Sequence, residues 1–185
     1  MSAEILDTVD EIFANANRLV AGVADGQWHD QTPCSEWDVR QLVNHTTGTT
    51  KFFAAIAARS EASGDPDADH LGDDPAAAFA AASEATAAAW RVDGALDGMV
   101  SQPLEMPASA AIGILVLDVG THCWDIAEAT GQDHGLSDSA IATIDACSRQ
   151  IVSDEIRSRG GFGDVLEPSS DDALTTMLAF LGRRA

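Results

Sequence analysis

Three side chains in this sequence have the types and the spacing to hold one ion. Asp118 and His122 stand four residues apart in an apolar stretch that reads as helix, so they project from one face, one turn apart. A carboxylate and an imidazole placed in this way can bind a single divalent cation. His45 lies in Leu42-Val43-Asn44-His45, at the edge of the apolar stripe of another helix or in its interior. One nitrogen from that helix and Asp-x-x-x-His from the other make a three-donor set. Two nitrogens and one oxygen suit Zn²⁺ with positions left open for water or substrate, with Ni²⁺, Fe²⁺ and Mn²⁺ as alternatives. The plainer reading of the same spacing is a hydrogen-bonded Asp–His pair and a His45 satisfied without metal. The apolar surroundings of Asp118 weigh toward the ion, because a buried carboxylate needs a partner or a cation.

The remaining chemistry-bearing residues read as supports. Asp125, turned about 100° per residue step away from His122, is expected to make a structural hydrogen bond, with a supporting or general-base role as the alternative. Cys34 precedes a helix start, where a thiol pKa can fall, but its neighbour Pro33 suggests a packed turn. Cys123 reads as a small core residue, and Trp37 and Trp124 as core anchors. His29, His70 and His134 fall in loops and are expected to be solvated. The aspartates at 65–74 lack the spacing of a calcium loop and read as a solvated linker. No residue beyond the three donors stands out as a general acid or base, so the catalytic residues stay unassigned.

The elements that position these residues read as helices. Residues 4–21 space Ile5, Val9, Ile12, Phe13, Ala16, Leu19 and Val20 by threes and fours. A second helix is expected to start at Ser35 as N-cap, with Glu36 and Asp38 in its first turn, and to end around 59–63 before Gly64. Asp74-Pro75 opens a third helix over 75–91, an N-cap followed by proline at the first helical position. Residues 93–108 form an irregular connection with room for a short extended pair. The fourth helix, about 109–130, is the most apolar and stops at Gly131. A fifth runs from Ser137 to about Arg159, and a short one from Ser170 or Asp171 to Leu181. The expected fold is an all-α bundle of four main helices with short terminal additions, one domain over 1–185.

The chain has 185 residues, 30 Asp+Glu against 10 Lys+Arg, and a formal charge of −20. Nucleic acid and anionic membrane surfaces are therefore excluded as partners, since both need clustered basic residues. Three widely spaced cysteines make no disulfide framework and fit a reducing cytoplasm. No unbroken run of 18 apolar residues is present, so a membrane span is not expected, and the acidic amphipathic start does not read as a signal peptide. Ala-rich helices leave a homodimer open.

Two motifs carry a family resemblance. Thr32-Pro33-Cys34-Ser35-Glu36-Trp37-Asp38-Val39-Arg40-Gln41-Leu42-Val43-Asn44-His45 resembles the "TPC-x-x-W-x-V-x-x-L-x-x-H" signature of the DinB-like, mycothiol-dependent maleylpyruvate isomerase N-terminal-domain superfamily. Asp118 through Gly131, with His122-Cys123-Trp124-Asp125-Ile126-Ala127, resembles its "D/E-x-x-x-H-x-W-D-L-A-x-A-T-G" block. The ending, from Phe162-Gly163 to Leu181-Gly182-Arg183, is similar to an actinobacterial subgroup of it. The resemblance implies a four-helix bundle of DinB type with a divalent metal, most simply Zn²⁺, on His45, Asp118 and His122. It further implies a low-molecular-weight thiol such as mycothiol and a small electrophilic substrate, in a transfer or an isomerisation. A non-catalytic metal- or small-ligand-binding protein is the alternative. The isomerase has glutamate at the position of Asp118. It also carries a further domain, whereas about 50 residues follow Gly131 here, so isomerisation of maleylpyruvate itself is not expected.

Overall fold

Helix α1 (Ser2–Ala21) buries the stripe that its periodicity predicts, with Val9, Ile12, Phe13, Ala16, Leu19 and Val20 all turned inward. It is followed by α2 (Val39–Ala57), α3 (Pro75–Trp90), a two-stranded antiparallel hairpin of β1 (Met99–Val100) and β2 (Met106–Pro107), and α4 (Ala108–Thr130). Then come α5 (Asp138–Ile151), α6 (Asp154–Ser158) and α7 (Ala173–Phe180). The computed structural model describes residues 2–35, 37–62, 68–102, 104–158, 160 and 162–185.

The protein is an all-α four-helix bundle with additions. α4 packs on α1 and α2, and α3 closes the square against the other faces of α1 and α2. α5 covers the outer side of α4, and α7 packs on α5. α4 is therefore surrounded, and this explains why it is apolar all round rather than striped. Its length and its mean hydropathy of 1.4 would suit a membrane span, but 83% of that window is buried among its neighbours. At Gly120 the absence of a side chain sets the spacing of α4 and α5: a Cβ there would lie 2.5 Å from Ile144 Cδ1.

The structure corrects two helix boundaries. α2 starts after Asp38, not after Ser35. The Asp38 carboxylate accepts from Gln41 N at 2.8 Å, and Gln41 Oε1 accepts from Asp38 N at 3.0 Å, a complete capping box. The residues ahead of it form a turn instead, in which the Thr32 hydroxyl bonds the carbonyls of Cys34 and Trp37. Glu36, expected in the first turn, lies outside the described residues, as does Gly64. α2 ends at Ala57, earlier than expected, because Arg59 enters the left-handed region at φ 53°. The fifth predicted helix is broken into α5 and α6. Val152 is extended, and Ser153 Oγ accepts from Ile156 N at 3.3 Å, a fresh start for a second helix.

Candidate metal centre

α2 and α4 lie side by side and bring the three expected donors together. His45 Nε2 is 3.1 Å from Asp118 Oδ1, and His122 Nε2 is 3.7 Å from the same oxygen. One donor atom from each of the three residues lies within 4.8 Å of the other two. Asp118 Oδ2 is buried and, among the described residues, accepts no hydrogen bond. A buried carboxylate oxygen left without a donor is unfavourable by itself, and a cation would relieve it. Two imidazoles and one carboxylate match the donor preference of Zn²⁺, so the residues present fit a divalent metal.

Both histidine donors are held by a neighbouring side chain. The ring of His122 is buried, and its Nδ1 lies 2.8 Å from Asp125 Oδ2. Asp125 is fully buried and bound by the Arg183 guanidinium through Nε to Oδ1 at 2.7 Å and Nη2 to Oδ2 at 2.8 Å. Burial pushes the Asp125 pKa up, but the bonds from His122 and Arg183 outweigh it and hold the group below the usual carboxylate range. An ionised carboxylate only accepts, so His122 donates to Asp125 from Nδ1 and turns Nε2 toward Asp118. The His45 ring is stacked on Trp37, centroids 4.3 Å apart at 30°. Burial lowers the His45 pKa, while the hydrogen bond and charge of Asp118 raise it, and the net shift is upward. For Asp118, burial pushes up and the charge of His122 and the hydrogen bond of His45 pull down, leaving it ionised at neutral pH. In the metal-free protein a proton on His45 Nε2 thus bridges to Asp118, in the place a cation would take.

Of the three donors His45 borders an open cleft of about 510 Å³, lined also by Trp37, Arg40, Gln41, Asn44, Ala68 and Asp69. Its far wall is the segment ahead of α3, strapped to α2. Asn44 Nδ2 donates to Ala68 O at 3.0 Å, and Asn44 Oδ1 accepts from His70 N at 2.7 Å. Arg40 pairs with Asp69 at 3.3 Å.

Several expectations change at this point. Trp124 is buried as a core anchor should be, but Trp37 is half-buried, covers His45 and borders the cleft. Asp125 does bond structurally, yet its partner is His122 itself, since three steps of 100° bring it back to within about 60° of that residue. Arg183, in the sequence only the end of the family-like C-terminal segment, has no expected role there. Cys123 is a core residue that donates to Ile12 O, and burial pushes its pKa up to about 12. Cys34 sits in the packed turn, its carbonyl bonded by Thr32 and by Trp37 N. The loop histidines are more than solvated: His29 Nδ1 meets Asp38 Oδ2 at 3.0 Å, His70 packs on Gly48, and His134 Nδ1 accepts from Leu136 N. Of the acidic linker, Asp69 accepts from Leu71 N and Gly72 N and Asp74 caps α3, while Asp65 and Asp67 lie outside the described residues.

Comparison with known proteins identifies the family of the chain. Residues 9–127 match the family described as the mycothiol maleylpyruvate isomerase N-terminal domain, a span that holds all three donors and Asp125. Two uncharacterized proteins, from two strains of Mycobacterium tuberculosis, are each 32% identical over 169 residues, covering 89% of this chain and 90% of their own. No solved structure gives a significant match. By the length of the family match and by these relatives, the chain belongs to the mycothiol maleylpyruvate isomerase N-terminal domain family.

Proposed function

We propose that the protein binds one divalent metal, Zn²⁺ foremost, on His45, Asp118 and His122, and uses it to activate a low-molecular-weight thiol toward a small electrophile. The carrying observation is the convergence of three donors around a buried, unpartnered Asp118 oxygen, with His45 bordering an open cleft. A bound Zn²⁺ supplies Lewis acidity that lowers the pKa of a coordinated thiol toward neutrality. The chain's own residues do the rest. Asp125 fixes the tautomer of His122, Trp37 fixes the ring plane of His45, and the Asp118 carboxylate balances part of the cation's charge. The cleft receives the body of the thiol and its substrate, with Arg40, Gln41 and Asn44 as polar contacts along one wall. The family relationship supports a thiol of the mycothiol kind, and the cysteine pattern supports a cytoplasmic setting.

The second reading, a metal or small-ligand binder without turnover, is favoured by one feature. Besides His45, the charged side chains lining the cleft are Arg40 and Asp69, and these pair with each other.

Metal analysis of protein prepared without chelator tests the proposal. About one equivalent of divalent metal is expected, lost in His45→Ala and His122→Ala with helicity retained. Wild type that retains no stoichiometric metal after loading with Zn²⁺ and desalting overturns it. A thiol-consumption screen with electrophilic substrates then separates enzyme from binder.

A further inference from the structure

Arg183 lies 58 residues from Asp125 in sequence and outside the segment that matches the family, yet it grips both oxygens of the carboxylate that orients His122. We propose that Arg183 is a positioning residue that couples docking of the C-terminal segment to occupancy of the metal centre. The proposal rests on the metal reading above and deepens it.

The local structure aims Arg183 inward. α7 ends at Phe180, and Gly182 then turns the chain at φ 79°. A Cβ on Gly182 would lie 2.8 Å from Gly163 Cα, so glycine is required both for the turn and for the close backbone approach. The turn lets Arg183 N bond Leu178 O at 2.8 Å and sends the guanidinium under the bundle, where its side chain is 9% exposed. From the other side, Arg157 donates to Gly163 O at 2.5 Å and Phe180 O at 2.6 Å, closing the same turn.

The chemistry follows from charge and geometry. Asp125 is fully buried, and an unpaired carboxylate there would be strongly unfavourable. The guanidinium fork neutralises it and locks its orientation, leaving Oδ2 to accept from His122 Nδ1 as well. Asp118 and Asp125 together carry two negative charges, Arg183 cancels one, and a divalent cation leaves the centre at +1. Without Arg183 the same centre is neutral and His122 is held by a carboxylate free to rotate. Docked tail and oriented His122 therefore support each other, and by reciprocity any ion that needs the oriented His122 must stabilise the docked tail.

Zn²⁺ affinity by chelator competition, read together with amide hydrogen exchange with and without Zn²⁺, tests the coupling. Arg183→Met is expected to weaken Zn²⁺ binding roughly 10–100-fold, the range for loss of a group that orients a ligand. In wild type, Zn²⁺ should slow exchange of the amides at 177–183 as well as those of α4, and in Arg183→Met the slowing at 177–183 should vanish. Arg183→Lys, which keeps the charge but not the fork, should fall between the two, and it carries the test if Arg183→Met fails to fold. Asp125→Asn and the double variant with Arg183→Met should weaken binding no more than the worse single change, since both act through His122. Equal Zn²⁺ affinity in wild type and the Arg183 variants, or tail exchange indifferent to Zn²⁺, overturns the coupling. If wild type takes up no Zn²⁺, the metal reading falls instead, and coupling is read in the metal-free protein. There Asp125→Asn must speed exchange at 177–183, and unchanged exchange overturns it.

Discussion

Cys123 stands beside His122 in sequence but presents its thiol to the carbonyl of Ile12, at 1% exposure and with a pKa pushed up to about 12 by burial. A nucleophilic thiol needs the opposite: exposure and a lowered pKa. Cys123 is accordingly expected to resist iodoacetamide at pH 8 in the folded protein and to react only on unfolding. Alkylation of native Cys123, followed by mass spectrometry of its peptide, would contradict the structure. The same contrast separates what was legible at the residue scale from what was not. Asp118 and His122 declare themselves because a four-residue interval within one helix fixes their relation. Trp37 and Arg183 do not, because a stacking contact and an ion pair spanning 58 residues depend on how separate elements meet. Even Asp125 misleads when its direction is taken one step at a time, since its return to the face of His122 appears only over three steps.

At the scale of elements, helix starts are where sequence and structure diverge most usefully. Ser35 and Asp38 both offer a cap, and the choice falls to Asp38 because Gln41 completes the reciprocal bond while Thr32 and Trp37 draw the Ser35 region into a turn. Asp38→Ala is expected to destabilise by about 1 kcal/mol, and Asp38→Asn to be near neutral at pH 7, by denaturant melts. Acid separates the two further. For Asp38, burial raises the pKa, but the bonds from His29 and from the α2 amides prevail and the shift is downward; Asp172, which caps α7, is lowered to about 2. A group with a depressed folded pKa stabilises above its unfolded pKa near 4 and loses that contribution as pH falls through the folded value. As pH falls below about 4 the wild type should therefore lose stability more steeply than Asp38→Asn, and parallel curves would show that the cap carries no charge-dependent part. Helix pairing was less legible. The apolarity of α4 marks it as central, but Gly120 reveals its role only against Ile144. Gly120→Ala should force α4 and α5 apart and destabilise by about 1–3 kcal/mol, measured by thermal or chemical melts.

Over the whole molecule, charge sets the conditions under which the bundle and its centre operate. With 30 acidic and 10 basic side chains, the carboxylates outnumber Lys and Arg by 20. Several of the basic groups are already engaged in particular contacts, Arg40 with Asp69, Arg149 with Asp145 and Arg183 with Asp125, so the excess is spread over the surface as uncompensated repulsion. Surface repulsion is screened over about 8–10 Å at ordinary ionic strength, whereas the buried Arg183–Asp125 pair lies out of reach of salt. Two opposite effects of NaCl are then separable. Screening of exposed pairs such as Arg149–Asp145 would lower stability by little, since each exposed pair contributes under about 1 kcal/mol. Screening of the net −20 removes a repulsion that acts across the whole surface and should win. The midpoint of thermal unfolding of the metal-free protein should rise from 10 to 500 mM NaCl, by the same amount in wild type and in Asp145→Asn. A midpoint that falls with salt would mean that local ion pairs, not net charge, dominate the surface. If the proposed centre takes up Zn²⁺, the same field would attract the cation and weaken as salt rises, so association of Zn²⁺ should slow with NaCl while the contacts that hold the three donors stay as they are.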